Sequence, residues 1–114
     1  MDESKEIRQK GFKRSINSPK ENLLVCEDDD RLLGFGDAVL RRNNKGAEVA
    51  LIYVRKESRG KGIGEKLMRE LLEWLKDKGE ERVFITTDVE NEASITLSKK
   101  AGFKESIVIL ETKL

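Results

Sequence analysis

The residues best suited to chemistry stand together at Arg59-Gly60-Lys61-Gly62-Ile63-Gly64, ahead of a run with helical period. Glycines let an anion approach main-chain N–H groups, because no Cβ stands in the way. The first turn of a helix leaves its N–H groups unpaired, and the helix dipole puts partial positive charge there. Arg59 and Lys61 add formal charge beside them. The chemistry this spacing suggests is phosphate or pyrophosphate binding. Two phosphate motifs fail on it. A P-loop read from Gly60 finds Glu65 in place of its second glycine and Leu67 in place of Ser or Thr. The dinucleotide fingerprint, read from Gly60 and Gly62, also meets Glu65 where a third glycine belongs.

Other chemistries are excluded by composition. The 114 residues include one cysteine, Cys26, and no histidine. That removes Ser-His-Asp and Cys-His catalysis, an intrachain disulfide and a zinc site of the usual Cys/His kind, so no metal is expected. Cys26 sits in an apolar strand-like run and reads as core. Basic and acidic residues number 23 and 22, so no clustered positive charge argues for nucleic acid or an anionic membrane surface. There is no apolar run of membrane-spanning length and no signal-like N-terminus, which reads as a soluble, reducing, cytoplasmic setting.

The glycine turn needs elements to hold it. Residues 1–20 are polar, with only Ile7, Phe12 and Ile16 as anchors at a spacing that fits neither period, and read as an arm or short helix. From residue 21 to 114 one domain is expected. Leu23 to Cys26 and Leu32 to Leu40 read as strands joined through Asp28-Asp29-Asp30-Arg31. A turn at Asn43 to Gly46 leads to a third strand, Ala47 to Val54. Ile63, Leu67, Met68, Leu71, Leu72 and Leu75 then line one face of a helix that Gly79 stops. Arg82 to Val89 reads as a strand, Asn91 to Lys100 as a helix ended by Gly102, and Ser106 to Leu114 as a closing strand. The order β-β-β-α-β-α-β makes an α+β fold: an antiparallel meander, then β-α-β-α-β in a mixed sheet, with the helices packed on it.

Arg59, Gly62 and Gly64 fill a third pattern: Arg or Gln, two residues, Gly, one residue, Gly or Ala. Ala47 to Glu73, AEVALIYVRKESRGKGIGEKLMRELLE, strongly resembles the acetyl-CoA-binding motif of the GNAT N-acetyltransferase superfamily. Asn91 to Phe103, NEASITLSKKAGF, resembles the motif that follows it there, with Asn91, Ser94, Leu97, Lys100, Gly102 and Phe103 in the matching places. The resemblance covers about residues 22 to 114.

This resemblance implies an acetyl-CoA-dependent N-acetyltransferase in which an amine attacks the thioester directly within a ternary complex. Acetyl-CoA would be the co-substrate. The main chain at Tyr53 and Val54 would hold the pantetheine and polarise the acetyl carbonyl. The N–H groups of Arg59, Gly60, Lys61, Gly62, Ile63 and Gly64 would hold the pyrophosphate, with Asn91 and Ser94 also contacting the carrier. Glu48 is the candidate general base. Ser98 stands where many members carry an acidic tyrosine, a departure that leaves a catalytically weak or inactive CoA-binding module as the alternative. Family members open with a strand and two helices, for which the segment before the first strand is too short. The acceptor, an amine-bearing small molecule or protein, would meet a site that is open, or completed by a partner subunit such as a second copy.

Overall fold

The computed structural model describes residues 12–41 and 46–114. Five strands form one sheet in sequence order: β1 (Phe12–Ser18), β2 (Glu21–Asp28), β3 (Arg31–Leu40), β4 (Ala47–Val54) and β5 (Val83–Ile85). The first four pair antiparallel and β5 pairs parallel to β4. Helix α1 (Ile63–Asp77) makes the crossover between them, and α2 (Glu92–Lys100) follows β5. This is the expected α+β architecture with a mixed sheet.

Local chemistry explains the frame. The β2–β3 hairpin turns on Asp29 and Asp30, both at positive φ (49° and 64°), as a two-residue turn matched to strand twist requires. On one sheet face Leu24, Cys26, Ala38, Ala47 and Val49 are buried against Ile63, Leu67, Met68, Leu71 and Leu75 of α1. A Cβ on Gly36 would stand 2.9 Å from Leu71 Cδ1, so glycine there sets how closely helix and sheet approach. Burial of this stripe, rather than helix propensity, holds α1 in place.

Three expectations need correction. Phe12–Ser18 is a strand, not a helix or irregular arm. It pairs with β2 from Phe12↔Cys26 to Ser18↔Glu21 through its main chain, which leaves little mark on a polar sequence. The strand expected from Arg82 to Val89 spans only Val83–Ile85. Ser106 to Leu114 forms no strand and is exposed throughout. Ile7 and the turn at Asn43 to Lys45 lie outside the described residues.

Candidate functional site

The connection from β4 to α1 carries the glycine string. Lys56–Ser58 form a 3-10 turn in which Ser58 is buried. Gly60 and Gly62 follow at φ 78° and 81°, with nothing within 4 Å of where a Cβ would be. Glycine is demanded here by the backbone, not by crowding, and the space beside the turn is open. Gly62 is the N-cap of α1, and no side chain caps the helix. The Arg59 guanidinium is partly committed: its Nε–H donates to the Val54 carbonyl at 3.0 Å, tying the turn to the strand end. Lys61 is exposed, whereas Ile63 is 2% exposed, so Ile63 offers only its main chain. A Cβ on Gly64 would meet Leu97 Cδ2 at 3.4 Å and Val54 Cγ2 at 3.6 Å, at the junction of β4, α1 and α2.

Beside this turn the sheet opens. β4 pairs with β5 only at Ala47↔Val83, Glu48↔Phe84 and Val49↔Ile85. Across β3 the register moves from Ala38↔Val49 to Asp37↔Leu51, which leaves Ala50 as a bulge. A bulge bends the strand and changes which groups point to either side. Before it, the Ala47 N–H donates to the Arg82 carbonyl on the β5 side at 2.9 Å. After it, the Arg55 N–H donates to Leu33 of β3 at 2.8 Å, so by alternation Tyr53 also faces β3. The main-chain groups of Ile52 and Val54 therefore face the gap where β5 has left. Of the two residues named from sequence, Val54 lies on the gap side and Tyr53 on the β3 side. Ile52 was not anticipated, because nothing in the string ALIYV announces a bulge at Ala50. The Tyr53 ring lies tilted by 40° against that of Phe35, centroids 5.5 Å apart, on the sheet face away from α1.

That second face carries carboxylates. Glu48 is partly exposed and lies 3.5 Å from Arg41. Asp37, directly across from Leu51 beside the bulge, is a residue that sequence reading passed over. Burial, then a hydrogen bond and charge repulsion from Glu21, raise its pKa to about 7. Its Oδ1 is buried without a hydrogen-bond partner. An acid alternating with apolar residues in a strand gives no sign of such a neighbour, which comes from the β2–β3 register.

The residues of α2 are occupied within their own helix. Asn91 caps it, its Oδ1 accepting from the Ser94 N–H at 3.1 Å. Ser98 is 5% exposed and donates its hydroxyl to the Ser94 carbonyl at 2.8 Å, back along the same helix. The helix ends with Phe103 N–H on Ser98 O at 3.0 Å, Gly102 N–H on Lys99 O at 3.1 Å, and Gly102 at φ 101°. This is a Schellman end, the physical content of the Lys-x-Gly-Phe signature. Lys100 reaches back to Glu65 in the first turn of α1 at 3.6 Å.

A family model described as the acetyltransferase (GNAT) family matches residues 2–103. The chain belongs to that family. Among curated relatives, it is 34% identical over 98 residues to the uncharacterized N-acetyltransferase YobR of Bacillus subtilis, covering 84% of this chain and 39% of YobR. Nourseothricin acetyltransferase has a similar solved structure: TM-score 0.69, 28% identity, 75% of this chain and 51% of that one. The aminoglycoside N-acetyltransferase AAC(6')-Iy in complex with CoA shares the fold at TM-score 0.72 and 24% identity, with 96% of this chain and 82% of that one covered. The chain spans 39 to 63% of the first three curated relatives' lengths. No described helix is long and apolar enough to cross a membrane.

Proposed function

We propose that this chain binds acetyl-CoA in the gap between β4 and β5 and transfers its acetyl group to an amine. The observation that carries the reading is the bulge at Ala50. It parts the two strands, turns Ile52 and Val54 main-chain groups into the gap, and does so beside the uncapped, glycine-bounded start of α1. A thioester needs main-chain donors at its carbonyl, and a pyrophosphate needs helix N-terminal N–H groups. One contiguous strip of backbone supplies both. Gly60, Lys61, Gly62, Ile63 and Gly64 hold the pyrophosphate, and Arg59 holds the turn in shape. Asn91 and Ser94 act on the carrier by shaping the start of α2.

In the reaction the amine nitrogen attacks the thioester carbonyl, the C–S bond breaks, the amine gives up a proton and the thiolate takes one. Glu48 is the proton acceptor of the sequence reading, and Asp37 shares its sheet face. Asp37 titrates near neutrality, as a base working near pH 7 should. Ser98 does not serve as the acid, because its hydroxyl is spent on Ser94. A second reading, a CoA-binding module with little or no turnover in the same cytoplasmic setting, is favoured by that one observation. Calorimetry with CoA, together with thiol release from acetyl-CoA over a panel of small-molecule and peptide amines, separates them. Binding with turnover on any amine supports the transferase; binding without turnover on all of them supports the module. Glu48→Gln and Asp37→Asn then assign the base by which one abolishes the rising limb of the kcat/KM profile with pH.

A further inference from the structure

Glu48 and Asp37 share a sheet face, yet the register sets them at different distances from the gap. Glu21, Val39, Glu48 and Phe84 form one row across β2, β3, β4 and β5. Leu23, Asp37 and Leu51 form a row closer to the gap. Glu48 precedes Ile52 in β4, so at about 3.3 Å of rise per residue it lies roughly 12 Å back along the strand. Its carboxylate is also drawn the other way. Arg41, beyond the end of β3, holds it at 3.5 Å. The Arg41 guanidinium in turn lies 4.8 Å over the Phe84 ring, and that of Arg82 lies over the same ring at 4.8 Å. A carboxylate held by a guanidinium that is itself stacked on a ring is fixed in place, facing away from the gap.

Asp37 stands opposite Leu51, the residue before Ile52, at one strand spacing of about 4.8 Å. Glu21 reaches it diagonally from β2, and the two carboxyl groups are hydrogen-bonded. Carboxylates only accept, so that bond needs a proton on one of the two. Oδ1 of Asp37 receives no hydrogen bond among the described residues. The charged and titratable groups around it are few. On β4 they are Glu48 and Tyr53, and on β2 Glu21. The cations of neighbouring elements are engaged elsewhere or exposed: Arg41 on Glu48, Lys13 on Glu27 at 3.3 Å, Arg14 over Trp74 on the α1 side, and Lys20 in water.

We infer that Asp37 is the base of the acetyl transfer and that Glu21 is its positioning residue, the two carboxyl groups sharing the proton taken up. Glu48 then serves the Arg41–Phe84 contact and not the reaction. The inference rests on the transferase reading. The attacking nitrogen bonds to the carbonyl carbon and the C–S bond breaks. The nitrogen's proton passes to Asp37, directly or through one water, and solvent protonates the thiolate. The pair returns its proton to solvent before the next turnover.

The test follows kcat/KM against pH with acetyl-CoA and three amines: spermidine, kanamycin and alanine tripeptide. Glu21→Gln keeps a hydrogen-bonding side chain but removes the charge that favours the shared proton. The rising limb near neutrality should move about one pH unit down, and Glu21→Asp should bring it back. A merely structural Glu21 would lower the profile without moving it. Asp37→Asn should abolish the limb and lower kcat/KM roughly 10²- to 10⁴-fold above neutral pH, whereas Glu48→Gln should leave the limb where it is. Carbon-13 NMR of the carboxyl groups, without substrates, should show Asp37 titrating near neutrality and at lower pH in Glu21→Gln. Turnover with a limb that Glu48→Gln abolishes, or that Glu21→Gln does not move, overturns this inference alone. So does an Asp37 that titrates as an ordinary carboxylate. An Asp37 that titrates near neutrality with no turnover on any amine overturns it together with the transferase reading. If Glu21→Gln fails to fold, Asp37→Asn against Glu48→Gln decides, with the wild-type titration.

Discussion

Asp37 is a carboxylate whose surroundings favour its protonated form. Burial and the neighbouring Glu21 raise its pKa from 3.8 to about 7, so the folded state holds this proton more tightly than the unfolded chain does. The sign follows by linkage: the stabilisation is fully present below the unfolded value and is lost as pH rises through the folded one. Stability should therefore fall between about pH 4 and pH 7 on this account, and Asp37→Asn should flatten that slope in denaturant melts. A variant with the wild-type slope would mean that Asp37 does not titrate as described. Asn91 offers a test of a different kind. Its carboxamide caps α2, and Asn91→Ala should cost about 1 kcal/mol in thermal or denaturant unfolding. Ser98→Ala should leave the pH profile of turnover where it was, because the hydroxyl is bound to Ser94. A shifted basic limb would restore Ser98 as a proton donor.

At the scale of elements, what was legible in the sequence is what has a period. The stripe from Ile63 to Leu75 marks α1, and the apolar runs of β2, β3 and β4 bring their boundaries with them. The glycine string was legible because Gly60 and Gly62 hold a backbone conformation other residues resist. β1 was not, because FKRSINS carries its information in main-chain pairing with β2. The bulge at Ala50 was not, because it arises from the register between β3 and β4 and has no residue signature in ALIYV. The strand expected at Ser106 to Leu114 was read from its β-branched residues, but strand formation needs a paired edge, and among the described residues this segment pairs with none. Gly62→Val tests the turn. A side chain at φ 81° costs on the order of 1–2 kcal/mol, more for a β-branched one, and the distortion should weaken CoA binding as it lowers the melting temperature. Retention of full CoA affinity would detach the turn from the ligand.

Taken whole, the molecule is a sheet with one face sealed by α1 and the other carrying Phe35, Asp37, Glu48 and Tyr53 partly open to water. Most of the backbone proposed for the acyl carrier lies on one stretch from Ile52 to Gly64, held by β4 at one end and α1 at the other. The chain spans less than two thirds of the length of its first curated relatives. The gap opened by the Ala50 bulge is proposed to receive the thioester. A crystal structure with acetyl-CoA tests it most directly. The acetyl carbonyl oxygen is expected within about 2.7–3.1 Å of the Ile52 main-chain nitrogen, with the pyrophosphate on the N–H groups between Gly60 and Gly64. Acetyl-CoA seated elsewhere, or a gap closed by β5 pairing on past Val49, would contradict it.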